Sequence, residues 1–227
     1  MVTSSLKHRK VVGVAALAVL LGLAASSAQA AAEAFLLNVA DPGSGISAGT
    51  WGKVTFTEAS STTIHVDVVL YGGAKFVDTG NYDYKPGDPH TAFVFNLKST
   101  KPASEVQLQN ITSGFGLDPY LPDNQTPFGS FSEGLACTGC GKGGSNPVSG
   151  PLSFDVFDAT GLSLSDLFPT DKGFFVSADL LAGGKTGNVG GNRVVPAIPE
   201  PETYVMLMAG LGLMGFVARR RKQRATS

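Results

Sequence analysis

The sequence predicts an all-β domain, a β-sandwich of the jelly-roll or immunoglobulin-like kind, set between an N-terminal signal peptide and a C-terminal transmembrane helix. Three observations lead there. Short stretches alternate apolar and polar residues with period two, the signature of a half-buried strand. Clusters of Gly, Pro, Asn and Asp separate them, as turns do. Two uncharged apolar runs stand near the ends of the 227-residue chain, each beside a basic block.

The first thirty residues come first. Lys7, Arg9 and Lys10 form a positive start, residues 11–25 an apolar stretch, and Ala28-Gln29-Ala30 a small-residue cleavage site. This order is that of a secretory leader, cut after Ala30. A first membrane span would be longer and would end in charge. Export places the mature chain in an oxidising compartment.

The domain is expected over residues 31–182. Residues 34–39 open it. Residues 51–59 make a strand with Val54 and Phe56 inward and Lys53, Thr55 and Thr57 outward. Residues 63–71 alternate most clearly, with Ile64, Val66, Val68 and Leu70 on one face and His65 and Asp67 on the other. Residues 91–97 group Phe93, Phe95 and Leu97. Further strands are read at 106–111, 152–157 and 174–181, and one helical turn at 162–168 stopped by Pro169. The stretches 117–127 and 137–151 read as long loops. Residues 183–198, rich in Gly and ending in prolines, read as a flexible linker that holds the domain off the membrane.

The tail follows. Residues 204–218 carry no charge, and Arg219, Arg220, Arg221 and Lys222 come directly after. Fifteen helical residues span roughly 22 Å, a short membrane crossing that arginine snorkelling extends. The basic block stays cytoplasmic. Gly210, Gly212 and Gly215 spell a dinucleotide fingerprint, but Pro201 replaces the preceding strand and no acidic residue follows. These glycines suit helix–helix approach in a membrane instead.

Pro199-Glu200-Pro201, then a glycine-bearing apolar run, then Arg219-Arg220-Arg221, resembles the PEP-CTERM sorting signal of Gram-negative bacteria, over residues 199–224. Tyr204 stands where many members carry Trp; both are interfacial aromatics. The resemblance implies an exosortase as processing partner, a transient stay in the cytoplasmic membrane, and an association with exopolysaccharide and biofilm.

Charge is segregated: +3 over the first thirty residues, −7 over residues 31–199 and +3 beyond. An acidic middle excludes nucleic acid as a partner, since phosphate binding needs a basic surface. Cys137-Thr-Gly-Cys140 reads as a small-loop disulfide in an exported chain; free thiols are the alternative. A zinc site would need a second pair, and only His65 and His90 remain in the mature chain. The Asp78, Asn81, Asp83 and Asp88 stretch offers calcium oxygens, but turn-forming Asn and Asp explain it. No cofactor or metal is expected. Neither histidine has a Gly-x-Ser-x-Gly partner, and Asp155 and Asp158 read as solvated strand and turn acids. Tyr82 and Tyr84 are candidate sugar platforms, with Trp51, Tyr71 and Tyr120 also able to offer rings.

The reading that follows is an exported, non-enzymatic surface or matrix protein sorted by its C-terminal signal. A secreted carbohydrate-binding module is the alternative, and a secreted hydrolase, with no motif behind it, comes third.

Overall fold

The computed structural model describes residues 30–79, 91–98, 106–118, 121–141, 144–194, 210–212 and 214. Among the described residues thirteen strands are present: β1 (Ala32–Ala40), β2 (Gly52–Ser60), β3 (Thr63–Leu70), β4 (Lys75–Phe76), β5 (Phe93–Phe95), β6 (Gln107–Gln109), β7 (Gly116–Leu117), β8 (Asp123–Gln125), β9 (Gly129–Phe131), β10 (Glu133–Ala136), β11 (Leu152–Phe157), β12 (Val176–Ala182) and β13 (Lys185–Val194). The all-β class is therefore as the alternation predicts.

Eleven of these strands form one antiparallel sheet, in the order β6-β11-β3-β2-β1-β13-β12-β5-β10-β7, with β4 added on β12. Strands β8 and β9 make a separate hairpin. The large sheet curls until its two halves face one another, nearly closing a barrel. Phe56 of β2 meets Phe95 of β5 at 5.6 Å between ring centroids, and Phe154 of β11 meets Phe93 and Phe95 at 6.0 and 5.9 Å. A sandwich shares its strands between two sheets; here the same inward alternation lines one. Register shifts in β1 between Leu37 and Val39, and in β2 between Glu58 and Ser60, mark bulges that let long strands bend.

The core follows the predicted faces. Val54, Phe56, Ile64, Val66 and Val68 are buried, as are Phe93, Phe95 and Leu97. Sequence alternation does not account for Val94, which points the other way and is also buried. Its face of the sheet is roofed by a second small cluster, Phe128, Phe131 and Phe174. The hairpin β8–β9 supplies Phe128 and Phe131 of that roof; β8 falls in the stretch 117–127 read as loop, and β9 lies just beyond it.

The expected linker needs the largest correction. Residues 185–194 are β13, of which 189–194 pair with β1 on one side and 185–191 with β12 on the other. Its glycines are packing positions. A Cβ on Gly191 would stand 2.6 Å from Val176 Cγ2, and one on Gly190 would stand 2.7 Å from the rings of Phe128 and Phe174. Side chains there would push apart the two layers that the strand separates.

The expected helical turn is a 3₁₀ turn over Leu164–Asp166. The Asp166 carboxylate accepts the Ser163 N–H at 2.9 Å, and the turn's Leu164 N–H donates to Glu58 Oε1 at 2.8 Å. Asp158 is not the solvated acid that its position in the sequence implies. It is fully buried, and its Oδ1 accepts the N–H and hydroxyl of Thr160 at 2.7 and 2.6 Å, which shapes the turn after β11.

Candidate functional site

Two places on the barrel bear on function. The first is the end where the chain enters and leaves. β1 starts at Ala32, β13 stops at Val194, and the two pair with Ala34 opposite Val194. Both termini of the domain therefore emerge side by side, about 5 Å apart as neighbouring strands are. Arg193 fixes this end: its guanidinium reaches Glu33 Oε2 at 2.8 Å and lies 4.8 Å over the Phe175 ring. Pro199 follows Val194 after four residues only.

The signal residues Pro199, Glu200, Pro201, Arg219, Arg220 and Arg221 lie outside the described residues, as do the leader residues 1–29. Of the expected span, Gly210, Leu211, Gly212 and Met214 are described, and these are helical. Among the described residues no helix is long and apolar enough to cross a membrane.

Residues 197–222 match the family model described as the PEP-CTERM protein-sorting motif. The chain carries a PEP-CTERM sorting signal. That signal marks an exported protein that is anchored transiently in the membrane and processed there by an exosortase. Neither the curated proteins nor the solved structures contain a match to this chain. The motif match thus begins three residues after the end of β13 along the chain, where the sequence alone implies a sixteen-residue tether.

The second place is the outer face of β3 and β11. Cross-strand pairing sets Asp155 opposite His65 and Ser153 opposite Asp67. His65 Nδ1 lies 2.6 Å from Asp155 Oδ1, and His65 Nε2 lies 3.2 Å from Ser153 Oγ and 3.4 Å from Asp67 Oδ2. Asn110 Nδ2 donates to Asp155 Oδ2 at 2.6 Å. Sequence reading finds no serine partner for His65 because the partner is 88 residues away and depends on register.

The hydrogen bond to Asp155 raises the His65 pKa above its ordinary 6.5; burial opposes this, and the charges of Asp67 and Asp155 add to it. For Asp155 burial pushes upward, but the hydrogen bonds from Asn110 and His65, with the His65 charge, outweigh it and lower the pKa. The order Ser–His–Asp is that of an acid–base relay. The Ser153 N–H donates to Thr112 Oγ1 at 2.9 Å, and its carbonyl accepts the Thr112 N–H at 2.9 Å. Both backbone groups of Ser153 are thus engaged by Thr112, in the connection after β6. The histidine side chain is 40% exposed on an open face rather than enclosed.

Cys137 and Cys140 form a disulfide with Cα atoms 5.3 Å apart. Both are buried and belong to the main core, with Cys140 Sγ 3.5 Å from the Phe76 carbonyl oxygen. Their sulfurs are committed to each other. Among the described residues no group of three His, Cys, Asp or Glu is placed to hold a metal. Tyr82, Tyr84 and Tyr120 lie outside the described residues. Trp51 and Tyr71 are described, at the barrel end opposite the termini. Trp51 is half-buried, its ring laid against Gly49, Gly72 and Gly183 and its Nε1 donating to Ser47 O at 3.1 Å. Tyr71 beside it is 39% exposed.

Proposed function

We propose that this chain is a non-enzymatic surface or extracellular-matrix protein. Its leader, residues 1–30, takes it across the cytoplasmic membrane, and the barrel folds outside. The segment 204–218 spans the bilayer until an exosortase cuts near Pro199-Glu200-Pro201, and the barrel then passes to the cell surface or the exopolysaccharide-rich biofilm matrix. The observation that supports this most directly is the sorting motif over residues 197–222, which follows the central strand β13 in the sequence. The test is made in the native host. Replacing Arg219, Arg220 and Arg221 together by Gln removes the cationic stop and is expected to leave an unprocessed, heavier protein that no longer reaches its destination. Unchanged mass and unchanged destination would overturn the reading.

A second reading, a carbohydrate-binding module, rests on Trp51 and Tyr71, which face away from the membrane-linked end. Rings of this kind stack on the apolar faces of pyranoses. Retention of the purified protein on the host's own exopolysaccharide is expected to fall at least tenfold in Trp51→Ala and Tyr71→Ala. If the unaltered protein is not retained at any salt concentration, this reading fails and the sorting reading stands.

A further inference from the structure

A shallow cavity of about 630 Å³ lies at the end where the termini emerge, and its wall includes Ala30, Ala31, Glu58, Leu162, Ser163 and Asp166. It holds two carboxylates, and among the described residues no Lys, Arg or His lines it. The carboxylates come from different elements. Glu58 sits near the end of β2, with Oε1 accepting the Leu164 N–H at 2.8 Å. Asp166 closes the 3₁₀ turn, with Oδ2 accepting the N–H and hydroxyl of Ser163 at 2.9 and 3.2 Å. Each carboxylate has a second oxygen that can accept from another donor. Glu33, on the neighbouring β1, is engaged with Arg193.

Ala31 is held at this cavity. The Glu58 N–H donates to its carbonyl at 2.9 Å, and the next residue, Ala32, pairs with Thr57. In the unprocessed chain the Ala31 nitrogen is a neutral peptide amide. Hydrolysis of the Ala30–Ala31 bond consumes one water: Ala30 leaves with a carboxylate, and the Ala31 nitrogen becomes an α-amine that takes a proton.

We infer that the cavity is a binding site for the chain's own processed N-terminus, in which the Ala31 α-ammonium meets Glu58 and Asp166. Leader removal then does more than release the protein. It supplies the missing cation to an acidic recess and ties the start of β1 to the 3₁₀ turn and the β2–β3 hairpin. This rests on cleavage after Ala30 as proposed above.

The experiment separates the two. Intact mass and N-terminal sequencing of the exported protein come first, with Ala31 expected at the start; any other first residue overturns both the cleavage site and the lock. Reductive ¹³C-methylation then labels the α-amine without removing its charge, and its resonance is followed by NMR across pH. An amine paired with these carboxylates is expected to bind its proton about tenfold more tightly than the ordinary α-amine, which titrates at about 7.7–8.0. In the double variant Glu58→Gln, Asp166→Asn the titration is expected to return to that ordinary range. Both replacements keep a carbonyl oxygen for the Leu164 and Ser163 donors. An ordinary titration in the unaltered protein overturns the lock even where Ala31 is confirmed as the first residue, and this result needs no variant to fold.

Discussion

A chain that stops at residue 182, the domain boundary implied by its glycine content, is expected not to fold, whereas one that stops at residue 198 should melt cooperatively. The ten residues of β13 lie between β1 and β12. Removing them parts the sheet at its centre, leaves both neighbours with unpaired backbone and takes Val189 out of the core. A domain has only about 5–15 kcal/mol of net stability, and the loss of a central strand exceeds it. Circular dichroism and NMR dispersion of the two chains decide the matter; a cooperative transition in the shorter one would mean that β13 is dispensable. A single substitution probes the same seam more gently. Gly191→Val would force side-chain atoms into Val176 Cγ2 and the Leu36 carbonyl, and overpacking of this kind costs typically 1–3 kcal/mol.

That strand also shows where the sequence is opaque. Leu152–Phe157 is legible to the residue, because Leu, Phe and Val alternate with Ser and Asp and one side faces a greasy core. Thr63–Leu70 is legible for the same reason. In β13 the alternation is hidden, since both of its faces are crowded. Gly191 abuts Val176 of β12, while Gly190 lies beneath Phe128 and Phe174. Glycine in a linker and glycine under a tight roof look identical until the roof is known. The same blindness covers the His65–Asp155–Ser153 constellation. Its residues share polar faces of two recognisable strands, but only the register sets Asp155 opposite His65. The sorting signal is legible because it is linear: its order along the chain carries the information, and no tertiary contact is needed to read it. That a strand runs to within three residues of it along the chain is not legible, since the glycines of β13 hide that strand.

Replacing Glu133 by Gln is expected to stabilise the protein above neutral pH and to leave it unchanged near pH 4.5. Glu133 lies on β10 opposite Phe95 and is 8% exposed. Burial pushes its carboxyl from the ordinary 4.5 up to about 7, against a smaller opposing effect of the hydrogen bond with Ser132. The folded state therefore holds this proton more tightly than the unfolded chain does. Stability from this group is full below pH 4.5 and falls as pH rises toward 7, because folding then buries a charge that the unfolded chain leaves in water. At about 1.4 kcal/mol per pH unit the total is roughly 3 kcal/mol. His65 acts in the same direction at higher pH, its contribution being lost as pH rises through its raised pKa, so the informative quantity is the difference between variant and parent rather than either curve alone. Urea denaturation at several values between pH 4.5 and 8 should show that difference growing from near zero to about 2–3 kcal/mol and then levelling. A difference that is constant across the range would show that Glu133 is already ionised in the folded barrel, with a cation or water beside it that offsets its burial.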